Sequence, residues 1–196
     1  MVIFRAFVFL ILLGGMIGSV NAQSFDFNLS DDSAEAKLML PLGFGDLGRS
    51  LWDISLLYKD SDSRDKDDNL VGGLGFEVVG EAGTDAPGLE FGIGMKGYYG
   101  EAEDSDIGAF TLGGMLRYAP PSFSRFFGIA RLNYAPKIVS FRDAERFWAV
   151  EVRIGYESLP TAEIYVGYRD VEAKIENKNA DVEVDKSAYV GVALHF

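Results

Sequence analysis

The sequence predicts an all-β chain, a closed antiparallel transmembrane β-barrel of about ten strands, with eight as the alternative. Three observations carry that reading. Hydropathy alternates with period two through nearly the whole chain after residue 23, as half-buried strands require. Hydrophobic residues make up 48%, and the 23 glycines sit within apolar runs. The chain ends on Phe196 after an alternating apolar strand.

The first 22 residues stand apart. Arg5 is their only charge, the apolar run from Ala6 to Leu13 is short, and Val20-Asn21-Ala22 places small residues where a cleavage enzyme reads them. This is the pattern of a secretory signal peptide cut before Gln23. The chain therefore divides into 1–22, signal peptide, and 23–196, barrel. An uncleaved anchor is the rival, but a spanning helix needs about 20 apolar residues and this stretch is interrupted by glycine. Removal of Arg5 leaves 17 Lys+Arg against 30 Asp+Glu, a net charge of −13. Such an acidic balance argues against nucleic acid as a partner. Cysteine is absent, so an exported chain needs another closure, and a hydrogen-bonded barrel supplies one.

Ten strands are expected at 24–31, 33–42, 50–59, 69–80, 88–100, 107–119, 124–135, 145–158, 161–172 and 184–196. Each is near the roughly 9–11 residues that a tilted strand needs to cross a bilayer. The connections form two sets. Those at 43–49, 81–87, 120–123 and 158–161 are short or rich in Pro and Gly, whereas those at 60–68, 101–106, 136–144 and 173–183 are mostly longer and strongly polar. Short turns at one end and longer loops at the other are the layout of outer-membrane barrels, with both termini on the periplasmic side.

The faces follow from the alternation. Ala188, Val190, Val192, Leu194 and Phe196 share one face of the last strand, and Tyr189, Gly191, Ala193 and His195 the other. Trp148, Val150, Val152, Ile154 and Tyr156 alternate with Ala149, Glu151, Arg153, Gly155 and Glu157. The greasy face, with aromatics toward its ends, suits lipid; the face with charges and glycine suits a narrow interior. A soluble barrel also alternates, but its apolar face points inward and its outer face need not be uniformly large and apolar.

By this assignment the lumen receives the acids Asp26, Glu35, Asp53, Glu77, Glu90, Glu151 and Glu163 and the bases Lys37, Lys96, Arg117, Arg131, Arg153 and Arg169. The near balance predicts pairing, because an unpaired charge in a confined interior costs several kcal/mol. Glu90, Lys96, Arg117, Arg131, Glu151, Arg153, Glu163 and Arg169 are the candidate charge network. A salt-bridged plug is the expectation for so narrow a barrel, since small barrels fill their interiors with side chains. A solute-selecting lining is the alternative.

No catalytic or metal constellation is evident, so an enzyme is not expected and neither is a cofactor. The densest charge run, Lys59 to Asn69, lacks the central Gly and final Glu of a calcium loop. It reads as a solvated loop, with loose divalent bridging to lipopolysaccharide phosphates as a weaker alternative. His195, the single histidine, falls at the periplasmic rim, away from the outer leaflet where a lipid-modifying site belongs. Zinc needs several His or Cys ligands. The Gly72-Gly73-Leu74-Gly75 segment opens no helix and is no phosphate cradle.

The C-terminal third carries a family resemblance. Tyr134-Ala135-Pro136, Gly155-Tyr156, Gly167-Tyr168-Arg169-Asp170 followed by an acidic loop with Asn and Lys, and the run from Tyr189 to Phe196 resemble the YfaZ family of outer-membrane proteins; Val71 to Gly75 is similar as well. The resemblance implies a fold and a location, the outer membrane, without a reaction. It also implies that Tyr189, Val192, Leu194 and Phe196 form a C-terminal signature read by the barrel-assembly machinery. Outer-membrane lipids and lipopolysaccharide are the other expected partners. The function expected is a structural or interaction barrel with a mostly plugged lumen. A narrow pore or carrier comes second, and a lipid-modifying enzyme third.

Overall fold

A computed structural model describes residues 24–42, 48–60, 68–102, 105–142, 144–175 and 181–196. The signal segment 1–22 lies outside the described residues, as do residues 61–67 of the charged run. The strands are β1 (Ser24–Leu29), β2 (Ser33–Pro41), β3 (Arg49–Lys59), β4 (Asn69–Glu81), β5 (Leu89–Ala102), β6 (Ser105–Tyr118), β7 (Phe126–Ala135), β8 (Ser140–Arg142), β9 (Ala144–Leu159), β10 (Ala162–Ile175) and β11 (Asp181–His195). Every pairing is antiparallel, each long strand bonds to its neighbours in sequence, and β1 pairs with β11 to close the ring. Ten strands thus form the wall, as expected, and the eight-strand alternative falls.

The short extra strand, β8, marks an interruption in the wall. Beyond Ala135 the chain leaves the ladder at Pro136 and makes a 3-10 turn at Lys137–Val139. It then returns as β8 to pair with β6 at Ile107–Ala109. Pro136 has no N–H to donate, which is why the ladder breaks there. β7 and β8 are therefore one wall position split by an outward bulge, where the sequence suggested a plain loop.

The outer face is a continuous apolar band. Leu74, Ile93, Met95, Leu112, Ile154 and Val166 all point outward and are more than half exposed. Trp52, Phe91, Tyr118, Phe126 and Tyr156 edge it at the end bearing the termini, and Tyr58, Tyr99, Tyr134 and Trp148 toward the other. A closed strand ladder satisfies every wall N–H and C=O without water, so this face can meet hydrocarbon. No helix among the described residues is long and apolar enough to cross a membrane; the strands do so.

Ser24 pairs with His195, so both ends of the barrel chain lie at one mouth, the terminal mouth. The turn from β4 to β5 lies at the same mouth. There Gly88 takes φ 82°, and its backbone approaches Ala119 so closely that a Cβ would collide with the Ala119 carbonyl. The Gly88 carbonyl accepts from the Ala119 N–H at 2.8 Å, tying two neighbouring turns together. Only glycine fits both demands.

Candidate functional site

The candidate site is the lumen, and its chemistry changes along the axis. At mid-depth a cluster of charged residues joins the first strands to the last. Arg169 on β10 is 3% exposed. Its guanidinium donates to Glu35 on β2 at 2.5 Å, to Asp185 on β11 at 2.6 Å and to Asn28 on β1 at 3.0 Å. Lys37 lies 2.8 Å from Glu151 and 3.2 Å from Glu35. Arg153 donates to Asp26 at 2.5 Å. Two tyrosines complete the layer: Tyr189 donates to Glu151 at 2.6 Å, and Tyr165 donates to Asp26. Each guanidinium also stacks near a ring, Arg153 over Tyr165 and Arg169 over Tyr189. Charges this buried persist because each is answered by an opposite charge and by further hydrogen bonds.

Glycines make room for this layer. Tyr165 pairs with Gly191 and Gly167 pairs with Tyr189 across β10 and β11. The outer end of each ring lies over the opposite glycine, where a Cβ would clash with it. Phe127 covers Gly155 in the same way.

The remaining candidates occupy three separate places. Lys96 pairs with Asp53 and Arg131 with Glu77, both at 2.8 Å, on the β3–β7 side. A cavity of about 60 Å³, lined partly by Lys37, Asp53, Lys96 and Arg131, separates these pairs from the Arg169 layer. Nearer the terminal mouth, Arg117 lies 3.2 Å from Glu157 and 3.3 Å from Glu163, and the His195 Nε2 lies 3.3 Å from the same Glu163. Glu90 is at the mouth itself, 2.8 Å from the half-exposed Arg49. All eight network candidates face the lumen, but they form several clusters and not one network.

The profile of a family described as YfaZ precursor matches residues 3–196. The chain belongs to the YfaZ family. Its closed ring and apolar outer band make it an outer-membrane barrel. Two solved structures align with this YfaZ-family chain. The KdgM porin is 13% identical with a TM-score of 0.46, over 89% of this chain and 99% of the porin. The outer membrane channel DcaP of Acinetobacter baumannii is 11% identical with a TM-score of 0.41, over 87% of this chain and 54% of the channel. No curated protein gives a significant match.

Toward the far end the lumen of this YfaZ-family barrel turns apolar. Phe147, Val182, Val184, Ile107, Ala102, Ala109, Ala135 and Ala173 are almost wholly buried in one cluster, with Tyr98 packed against it. The expected charge-and-glycine face is thus only part of the interior. Alternation identifies residues that share a face; it does not register a change of chemistry along that face. Asp185, near the start of the last strand, adds a buried acid beyond the expected set. Asp185 keeps the inward parity of Ser187 and Tyr189, and the register shift opposite Val171 and Glu172 turns Val184 inward beside it. Arg49 and Lys59, both near strand ends, are further charges beyond the expected set.

At the terminal mouth the interior opens into a cavity of about 330 Å³. The C-terminal signature residues divide between faces. Val192, Leu194 and Phe196 are outward and exposed, whereas Tyr189 is 3% exposed in the lumen. Among the described residues no group of three or more His, Asp or Glu is placed to hold a metal ion.

Proposed function

We propose that this barrel serves a structural or interaction role in the outer membrane, that it performs no catalysis, and that its lumen does not conduct. The observation carrying the reading is the Arg169 layer backed by the Phe147 cluster. An ion entering from the terminal mouth meets paired charges first and a packed apolar region beyond them. Opening a path requires separating Arg169 from both Glu35 and Asp185, which exposes uncompensated charge. Planar-bilayer recording of the purified barrel tests this: a silent membrane is expected, and reproducible conductance steps overturn the plug and favour the narrow pore. The wide terminal cavity is what supports that second reading.

The partners follow from the surfaces. The apolar band with its tyrosine and tryptophan edges suits lipid and lipopolysaccharide. Val192, Leu194 and Phe196, on the outward face of the closing strand, suit recognition by the assembly machinery. His195 has a structural reading, since Glu163 holds it beside Arg117. Incubation with labelled lipid A is expected to yield no product; a modified lipid would overturn the non-enzymatic reading.

A further inference from the structure

The cavity at the terminal mouth is a built pocket. At about 330 Å³ it falls within the range of small-molecule sites. It is open at the mouth, and its inner end is closed by the Arg153–Asp26 and Arg131–Glu77 pairs. Its wall is mixed. Leu51, Val79, Met115 and Ile129, from β3, β4, β6 and β7, form one packed apolar patch. The rest is polar and balanced, with five acids and five bases in the lining, besides His195. The charges nearest solvent are mixed in sign: Arg49 and Glu157 have side chains 54% and 38% exposed.

Two lining residues each carry one buried polar atom without a hydrogen-bond partner. One is a donor, Arg153 Nε, on a residue 8% exposed; the other is an acceptor, Glu77 Oε1. Both atoms are shut off from the cavity, so a ligand there would be held by the accessible part of the lining.

From these observations we infer that the terminal-mouth cavity binds a small zwitterion bearing an apolar side group, of the size of an apolar amino acid. A net anion or cation would unbalance a confined set of five acids and five bases, whereas a zwitterion adds no net charge. Its apolar group would cover the Leu51–Ile129 patch, and its charged ends would meet Arg49 and Glu157. This site deepens the closed-lumen reading: a pocket with a sealed inner end receives its ligand from the periplasmic side and does not pass it on. The two ideas fail separately, because conductance overturns closure without touching binding.

The test uses the refolded barrel in a non-ionic detergent, with L-leucine as probe and hexanoate and hexylamine as single-charge controls, read by ligand-observed nuclear magnetic resonance. Saturable leucine binding exceeding that of both controls is expected. Met115→Trp, which fills the apolar side, should abolish it, and Arg49→Ala should weaken it about tenfold through loss of one charged hydrogen bond. Heat-modifiable migration on gels confirms that each variant is folded, and Arg49→Ala, at the exposed mouth, remains informative if Met115→Trp fails to fold. No saturable leucine binding by the folded wild-type barrel, equal binding of either control, or unchanged binding by both folded variants overturns the inference.

Discussion

The ring of Tyr189 covers the bare backbone of Gly167 on the adjacent strand, and its hydroxyl donates to Glu151 at 2.6 Å. One residue therefore joins β11 to β10 by packing and to β9 by a hydrogen bond. Tyr165 and Gly191 repeat the arrangement in reverse. Gly167→Ala should push the Tyr189 ring away and release its bond to Glu151. A drop in the folded fraction, read as heat-modifiable migration on gels, is the expected result. Gly128→Ala should leave that fraction unchanged, because a Cβ there meets only a carbonyl at 3.9 Å.

Removal of Arg169 leaves Glu35 and Asp185 facing each other without their shared cation. Arg169→Met should destabilise the barrel by about 3–5 kcal/mol, the cost of breaking a buried pair by taking one partner. Urea unfolding followed by tryptophan fluorescence reads this. The triple change Arg169→Met, Glu35→Gln, Asp185→Asn should recover part of the loss, since it removes the charges together.

The outward band predicts a dependence on depth. Val152, 49% exposed and midway between Trp148 and Tyr156 on β9, should cost about 2–4 kcal/mol as Val152→Arg, and Ala162→Arg at the terminal edge only about 0–1. Equal costs, measured by reversible unfolding in lipid vesicles, would contradict the assigned membrane position.

Phe196 is 70% exposed on the outward side of the closing strand. Phe196→Ala should lower the amount of folded protein in outer-membrane fractions while leaving refolding of the purified chain in detergent nearly unchanged. Unaltered assembly in cells would count against a role as a signal.

The ring was legible in the sequence because a two-residue period says which side chains share a face, and Val190, Val192 and Leu194 against Tyr189, Gly191 and Ala193 leave no other register. The pairing of lumen charges was legible only as a balance of numbers. Nothing in the chain near Arg169 names Asn28 or Glu35 as partners, since these lie 141 and 134 positions away and meet Arg169 only when the ring closes. The apolar far end was hidden because Ala109, Phe147 and Val182 are compatible with either face of a membrane strand. The break at Pro136 was marked by its proline, but whether the wall resumes beyond it depends on β6 offering Ile107–Ala109 as a partner, which is a tertiary fact.

The seam between β1 and β11 has a consequence in time. Asp26, Asn28 and Glu35 leave the translocation pore first, yet their partners Arg153 and Arg169 emerge near the end. Of the charged layer only the Lys37–Glu35 contact lies within the early strands, and until the late strands arrive Asp26 is an unanswered carboxylate and the sheet keeps two open edges. Such high contact order slows folding. The newly exported polypeptide must therefore be escorted through the periplasm, and a ribosome that stops short of the last strand produces a barrel that can never shut.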